Sequence, residues 1–249
     1  MNRRDRDVAD AGAAIGEALP AGGIAIVVGS SGGIGSALLA RLSAQPRFSA
    51  VLGLGRRSSP PLDLTDEDSI VAAARHVAGL GGDVRLVIDA SGILHEEGLS
   101  PEKTWRELDP AQLARAFAVN AIGPALLMKH FLPLLPRQGR SVFATLSARV
   151  GSIGDNRLGG WYGYRASKAA LNQFVRTAAI ELGRRQPAAL CVALHPGTVA
   201  TSLSSPFVKA GLDVQTPEQA AGRLLDVIDR LPPGSSGGFF DHRGDPVPW

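Results

Sequence analysis

The sequence predicts a doubly wound α/β domain, a Rossmann-type parallel sheet of about seven strands covered by helices on both faces. Three observations carry that prediction. Val/Ile-rich apolar runs recur along the chain with little polar alternation, as expected of strands buried on both sides. Between them lie longer stretches with apolar residues at i, i+3 and i+4, the helical period. The first run leads directly into a glycine-rich loop that opens the first helical stretch, the order of a βαβ unit.

The elements follow in order. Strands are expected at GIAIVVG (23–29), AVLGLG (50–55), a very short PLDL (61–64), VRLVIDA (84–90), SVFATLS (141–147), AALCVALH (188–195) and GGFFD (237–241). Helices are expected over IGSALLARLSAQ, DEDSIVAAARHVAGL, the long PAQLARAFAVNAIGPALLMKHFLPLL, YRASKAALNQFVRTAAIELGRR and PEQAAGRLLDVIDRL. GRRSSPPLDLTD leaves no room for a helix between the second and third strands, and its proline pair forbids one, so that edge of the sheet should be thin. SSPP and LPPGSSGG read as turns, and there is no internal repeat and no second domain.

A chain of 249 residues, 45% of them apolar, can bury a full core as one large domain. Residues 1–22 hold RRDR and DVAD ahead of an Ala/Gly stretch, without the continuous apolar segment of a secretory signal. They are expected to form a loose tail or short helix before a domain spanning 23–249. No run of eighteen or more apolar residues occurs, so no membrane span is expected. The lone Cys191, inside ALCVAL, reads as a buried structural thiol; without a disulfide framework a reducing, cytoplasmic setting is expected. The formal net charge of +3 is modest and its cations are scattered, which argues against nucleic acid or anionic lipid as partner. A small molecule is expected instead. His76, His95, His130, His195 and His242 share no ligand spacing, so no metal site is expected. His95 reads first as a solvated loop residue, with the cleft as the alternative; Trp161 reads first as packing, with the pocket as the alternative.

The loop VVGSSGGIGSALLARL carries Gly29, Gly33 and Gly35 in GxxxGxG spacing. Glycines there permit a tight turn and close approach of backbone to a pyrophosphate, whose charge meets the free N–H groups of a helix start. Arg56 and Arg57 follow the second strand, with no carboxylate until Asp63. An acidic residue at that strand end would bind a ribose 2′-hydroxyl, whereas a guanidinium pairs with a 2′-phosphate, so NADP(H) is favoured.

Within WYGYRASKAALN, Tyr164 and Lys168 stand four apart on one helical face, whereas Tyr162 would pair with Ala166. An ammonium near a phenol favours the phenolate and lowers its pKa toward the range of a general acid/base. Arg165 points about 100° around the helix from Tyr164 and is expected at a subunit contact or the pocket rim.

Together with D63-L-T-D66, D89-A-S-G92, V119-N120-A121, the serine-bearing segment 147–152 and H195-P-G-T-V-A-T201, these motifs stand in the order of the short-chain dehydrogenase/reductases. The sequence resembles that family from residue 23 to 249, and within it LSARVGSIGDNRLGGWYGYRASKAALN is most similar to the C-factor group and the sniffer-like carbonyl reductases. The resemblance implies an oxidoreductase acting on a carbonyl or alcohol, with Tyr164 moving the proton, Lys168 lowering its pKa and holding the nicotinamide ribose, and Asn120 anchoring a relay water. It places cofactor contacts along Gly29, Ser31, Gly33, Ile34 and Gly35, then at Asp63 and Leu64, at Ala90, Ser91 and Gly92, and at Pro196, Gly197, Val199 and Thr201. It also implies a homodimer or homotetramer, commonly built through the helix carrying Tyr164, and a substrate-binding lid within 202–215.

The chain departs from the family pattern in places. Asp89 and Ser91 stand where the family has Asn and Ala, and Gly32 stands where NADP-users often have a second basic residue. The family acts with the second serine of a pair at the end of the fifth predicted strand; here the pair reads Ser147-Ala148. Ser147 is the candidate by strand position, Ser152 by its distance from Tyr164, and a site with neither stays open. A cofactor-binding signalling protein with little turnover is the rival reading.

Overall fold

The computed structural model describes residues 19–207 and 213–249. Six parallel strands form one sheet in the order β2-β1-β3-β4-β5-β8. They are β1 (Ile24–Val28), β2 (Ala50–Leu54), β3 (Val84–Asp89), β4 (Ser141–Leu146), β5 (Ala189–His195) and β8 (Phe239–Asp241). A two-stranded ribbon, β6 (Thr198–Val199) with β7 (Val214–Gln215), lies outside the sheet. Strands β1, β3 and β4 are buried at every residue, which is why their sequences are continuous apolar runs.

The helices divide between the two faces. On one side α2 (Glu67–Ala78), α4 (Gly123–Phe131) and α5 (Tyr162–Arg185) close a core around Ile70, Leu127, Phe131, Phe143 and Leu171. On the other, α1 (Gly33–Ser43) and α6 (Pro217–Arg230) close a second core around Leu38, Leu42, Ile88, Leu224 and Ile228. Their ends are written in the sequence: Asp66 caps α2 through the Asp68 N–H, and Thr216 with Gln219 forms a capping box around Pro217 on α6.

Three expectations are corrected. The predicted third strand, 61–64, does not form, so the sheet has six strands, with neither helix nor strand between β2 and α2. Pro60 and Pro61 have no N–H to give a ladder, and the Leu62 N–H turns back to the Gly55 carbonyl at 2.9 Å. Leu62 and Leu64 are nonetheless buried, and their alternation is what mimics a strand. The expected tail, 1–22, lies outside the described residues up to 18; its last residues belong to the fold, since Leu19 is buried and its carbonyl accepts from Arg47. Finally, the long predicted helix is interrupted: α3 (Pro110–Phe117) passes into α4 through a π-turn at Ala118–Ile122. The stretch Pro110–Leu134 has the length and composition of a membrane span, yet Ala116, Val119, Leu127, Met128 and Phe131 are buried in this protein's own core.

Candidate active site

The sheet order reverses between β1 and β3, and a cavity of about 460 Å³ opens there beyond the carboxyl ends of the strands. Five strands, the edge strand β2 and the four beside it, each deliver a predicted segment to it: Gly29 after β1, Arg56 after β2, Ala90 to Gly92 after β3, Ser147 after β4 and Pro196 after β5.

The phosphate loop has the shape its glycines permit. Gly29 sits at φ +76°, and a methyl group on Gly35 would stand 2.2 Å from the Gly29 carbonyl oxygen. Gly35 therefore shapes the turn from behind, while Ser31, Gly33 and Ile34 line the cavity. Gly32 caps α1 without any side-chain hydrogen bond, leaving the helix's first N–H groups for an anion. Arg56 is exposed, lines the cavity and makes no ion pair among the described residues. Backbone cradle, open helix start and free guanidinium fit a dinucleotide phosphate. Asp63 lines the wall beside Leu64, and hydrogen bonds from the Thr65 N–H and hydroxyl hold its carboxyl below the usual range.

Sequence reasoning missed a second cation at this end. Arg115 on α3 lines the cavity and forms a bidentate pair with Glu96, at 2.6 and 3.2 Å. It is a second guanidinium on the cavity wall, already paired with a carboxylate. Nineteen positions separate the partners, on a loop and a helix, so no local motif signals the pair.

At the other end, Tyr164 and Lys168 rise from the first turns of α5 into the cavity, with the ammonium 6.0 Å from the phenol ring centre. Lys168 Nζ donates to the Leu146 carbonyl at 2.8 Å. Burial pushes the Tyr164 phenol up to about 12, and burial, partly offset by the Asp89 carboxylate, brings Lys168 down to about 8. The expected lowering of the phenol by its lysine is thus not seen: desolvation disfavours charge on both groups and outweighs their mutual attraction.

Asn120 sits in the π-turn, just behind the cavity wall. Its amide is paired on both sides with Ile93, accepting the N–H and donating to the carbonyl at 2.8 Å each. Gly92 crosses directly above, where a side chain would meet Asn120 Oδ1 at 3.3 Å and Lys168 Nζ at 3.5 Å. Ser91 lines the cavity, and both its N–H and hydroxyl donate to the fully buried Asp89, which also accepts from Thr145 at 2.7 Å. Two of the departures from the family pattern, Asp89 and Ser91, are therefore one hydrogen-bonded unit.

The two candidate serines lie in different surroundings. Ser147 lines the cavity, with its hydroxyl donating to Asn172 Oδ1 at 2.7 Å. Ser152 is buried outside the lining and accepts the Asp155 N–H at 3.1 Å, a loop-closing role. Pro196 and Thr201 line the cavity; Gly197 and Val199 stand behind, Val199 buried in β6. Thr201 packs on the phosphate loop, where a methyl on Gly33 would meet it at 2.7 Å.

The start of α5 is held by groups that no motif announces. Trp161 takes a left-handed φ of 53° after Gly159 and Gly160, which are also left-handed. The Trp161 N–H reaches the Glu102 carbonyl, and the Gly163 N–H reaches the buried Glu102 carboxylate at 3.0 Å. Arg165 donates to the carbonyls of Gly160, Val150 and Gly159 at 2.9, 3.2 and 3.1 Å. It is a clasp on the loop ahead of Tyr164. The Trp161 ring meets Tyr164 edge-on and packs against Phe207, and Phe207 packs against His95, which lines the cavity. His95 therefore belongs to the cleft. Residues 208–212 of the expected lid lie outside the described residues. Cys191 is buried, with its thiol pushed up to about 12 by desolvation.

Comparisons with known proteins agree with this geometry. A family model described as enoyl-(acyl carrier protein) reductase matches residues 12–229. The C-signal protein of Myxococcus xanthus is 40% identical over 143 residues, 57% of this chain and 82% of that one. The 1-hydroxy-2-glutathionyl-2-methyl-3-butene dehydrogenase of Rhodococcus sp. (strain AD45) is 34% identical over 190 residues, 76% of this chain and 79% of that one. Among solved structures, an NADPH-bound carbonyl reductase from chicken fatty liver superposes with a TM-score of 0.80 at 27% identity, covering 93% of this chain and 100% of that one. The chain belongs to the short-chain dehydrogenase/reductase family of oxidoreductases.

Proposed function

We propose that the protein is an NADP(H)-dependent carbonyl reductase or alcohol dehydrogenase in which Tyr164 is the general acid/base. One observation carries the reading: Tyr164, Lys168 and Ser147 line the same cavity as the phosphate loop and Arg56. The NADPH-bound avian carbonyl reductase of the same fold supports it. A bound nicotinamide cofactor supplies the hydride. Arg56, the loop and Thr201 hold its phosphates and orient it; Ser147 lies beside the carbonyl oxygen of a substrate, and the Tyr164 phenol gives that oxygen its proton. With burial holding the phenol near 12, Tyr164 is protonated at neutral pH, the form that serves reduction. Lys168, close to its own midpoint near 8, can pass a proton on.

The same proposal sets the protein in the cytoplasm as a homodimer or homotetramer. Exposed Phe174 and Ile180 on α5 support a subunit contact there, which light scattering checks.

A second reading, a cofactor-binding signalling protein with little turnover, is favoured by Ala148 at the usual serine position and by the C-signal relative. A thermal-shift comparison of NADPH with NADH, followed by a panel of aldehydes and ketones, decides. NADPH-selective stabilisation with NADPH consumption supports the reductase; selective stabilisation without turnover of any carbonyl supports the second reading; no stabilisation by either cofactor overturns both.

A further inference from the structure

Among the described residues five charged side chains are buried: Arg85, Asp89, Glu102, Lys168 and Asp241. Arg85 pairs with Asp83 and Asp241 with Arg149, while the Glu102 carboxylate accepts the Gly163 N–H at the start of α5. One anion and one cation are left, Asp89 at 0% exposure and Lys168 at 3%. Neither is in a direct ion pair with any described residue.

Two neighbouring strand ends bring them together. Asp89 closes β3 opposite Thr145 of β4 and accepts the Thr145 hydroxyl at 2.7 Å. The next residue, Leu146, accepts from the Lys168 ammonium at 2.8 Å. Ser91 gives its N–H and hydroxyl to Asp89 Oδ1, and the chain then passes the ammonium at Gly92, where a methyl would stand 3.5 Å from Nζ. The carboxylate is thus held by three neutral donors, and its charge is left to act on the one buried ammonium. A buried ammonium is costly without a compensating anion, and surroundings poor in water screen such a pair weakly. Asp89 and Ser91 replace the Asn and Ala of the family pattern together, since the carboxylate calls for an added donor and the serine brings it.

No other charge competes for this ammonium. The Tyr164 phenol comes from its own helix; the π-turn and β4 bring the neutral Asn120 amide and Leu146 carbonyl. Arg149, on the turn that packs Gly151 against the Lys168 stem, is committed to Asp155 and Asp241. On the other elements against α5, Arg115 of α3 is held by Glu96, Lys129 and His130 of α4 by Glu67, and the His195 ring of β5 meets His242. We propose that Asp89 is a positioning residue that acts through Lys168: its carboxylate is the counter-charge of the ammonium, and it sets how far into alkaline solution the enzyme turns over. The effect on turnover rests on the reductase reading; the pairing of charges does not.

A double-mutant cycle of Asp89→Asn and Lys168→Met, read by urea unfolding of the full chain at pH 6 and pH 9.5, tests the pairing. Asparagine keeps the shape, accepts the Ser91 N–H and can donate to a neighbouring hydroxyl. At pH 6 the lysine is charged, so Asp89→Asn should lower the urea midpoint more in the wild-type background than in Lys168→Met. By pH 9.5, above the lysine's midpoint near 8, the two losses should be equal. Equal losses at pH 6, or a gap that persists to pH 9.5, overturn the pairing. Should Asp89→Asn fail to fold, rescue by Lys168→Met supports the pairing and failure of that rescue overturns it. In the reductase assay the alkaline limb of kcat/KM for NADPH should lie about one pH unit lower in Asp89→Asn, a tenfold loss of proton affinity at the lysine. Thr145→Val disturbs the same cluster but keeps the carboxylate, and should leave that limb in place. A limb unmoved in Asp89→Asn, or moved equally in Thr145→Val, overturns the role in the reaction. If no carbonyl turns over, the reductase reading fails while the unfolding cycle still decides the charge pair.

Discussion

The Lys168 ammonium donates a 2.8 Å hydrogen bond to the carbonyl oxygen of Leu146, the last residue of β4. A cation is thereby tethered to the end of a strand in a buried place, and burial brings its pKa from 10.5 down to about 8. The unfolded chain keeps the proton up to the ordinary lysine value. Between those two pH values the unfolded state binds more protons, so this group's contribution to stability rises with pH. Its cost is full below about 8 and is relieved above it. Lys168→Met removes the titration. Urea midpoints should show the variant gaining most over the wild type at pH 7 and losing part of that advantage by pH 9.5; a gap independent of pH would contradict the buried cation.

Tyr164→Phe keeps the ring and its contact with Trp161 and removes only the hydroxyl. Turnover should fall by about 10²–10⁴-fold, the usual worth of a positioned acid/base. The NADPH-induced thermal shift should stay. Activity within threefold of wild type would remove Tyr164 from the mechanism.

Ser147→Ala should lower kcat by about 10²-fold or more, as for loss of one carbonyl-polarising donor. Ser152→Ala breaks the bond from the Asp155 N–H and should cost about 1 kcal/mol of stability with kcat nearly unchanged. Steady-state kinetics beside denaturant unfolding separate the two, and the reverse pattern would move the role to Ser152.

Arg56→Ala should weaken NADPH binding about tenfold or more while leaving NADH within twofold, because only the former carries the 2′-phosphate. Fluorescence titration of the two cofactors measures this. Equal losses for both would place the guanidinium at some other part of the cofactor.

Arg165→Ala removes hydrogen bonds to three carbonyls of the loop before Tyr164. A loss of about 1–3 kcal/mol is expected on unfolding, together with a raised KM, since Trp161 is set by the same loop. Arg165→Lys should restore little, because an ammonium cannot span three acceptors as the planar fork does.

Much of this site is legible from local sequence. Helical spacing picks Tyr164 over Tyr162 as the partner of Lys168, the motifs around them give the pair its weight, and the phosphate loop is read from glycines between a strand and a helix. Arg56 is read from its place at a strand end. What the sequence hides depends on where distant segments meet. Glu102 holds the start of α5 from 61 positions away, and Glu96 holds Arg115 from 19. Strand position favours Ser147 and distance from Tyr164 keeps Ser152 in play until the loop from 147 to 161 is folded, and then only Ser147 lines the cavity. The 61–64 segment shows the converse. Its leucines alternate as in a strand, but burial of alternate side chains does not make a ladder where prolines withhold the donors. The phenol's pKa also escapes spacing arguments, because it follows from how completely the surroundings exclude water.

The π-turn at Ala118–Ile122 is a matter of chain length more than of side-chain chemistry. Its wide turn, closed by the Gly123 N–H on the Ala118 carbonyl, holds one residue more than an α-turn. Deleting one residue from it would close the ordinary ladder with α3 and α4 still in phase, because the wide turn is what absorbs the extra residue. The group at stake is Asn120, which this turn carries to Ile93. A one-residue deletion here should therefore spare the helices and cost the bridge to Ile93, whereas the same deletion within α3 would turn Arg115 about 100° away from its place.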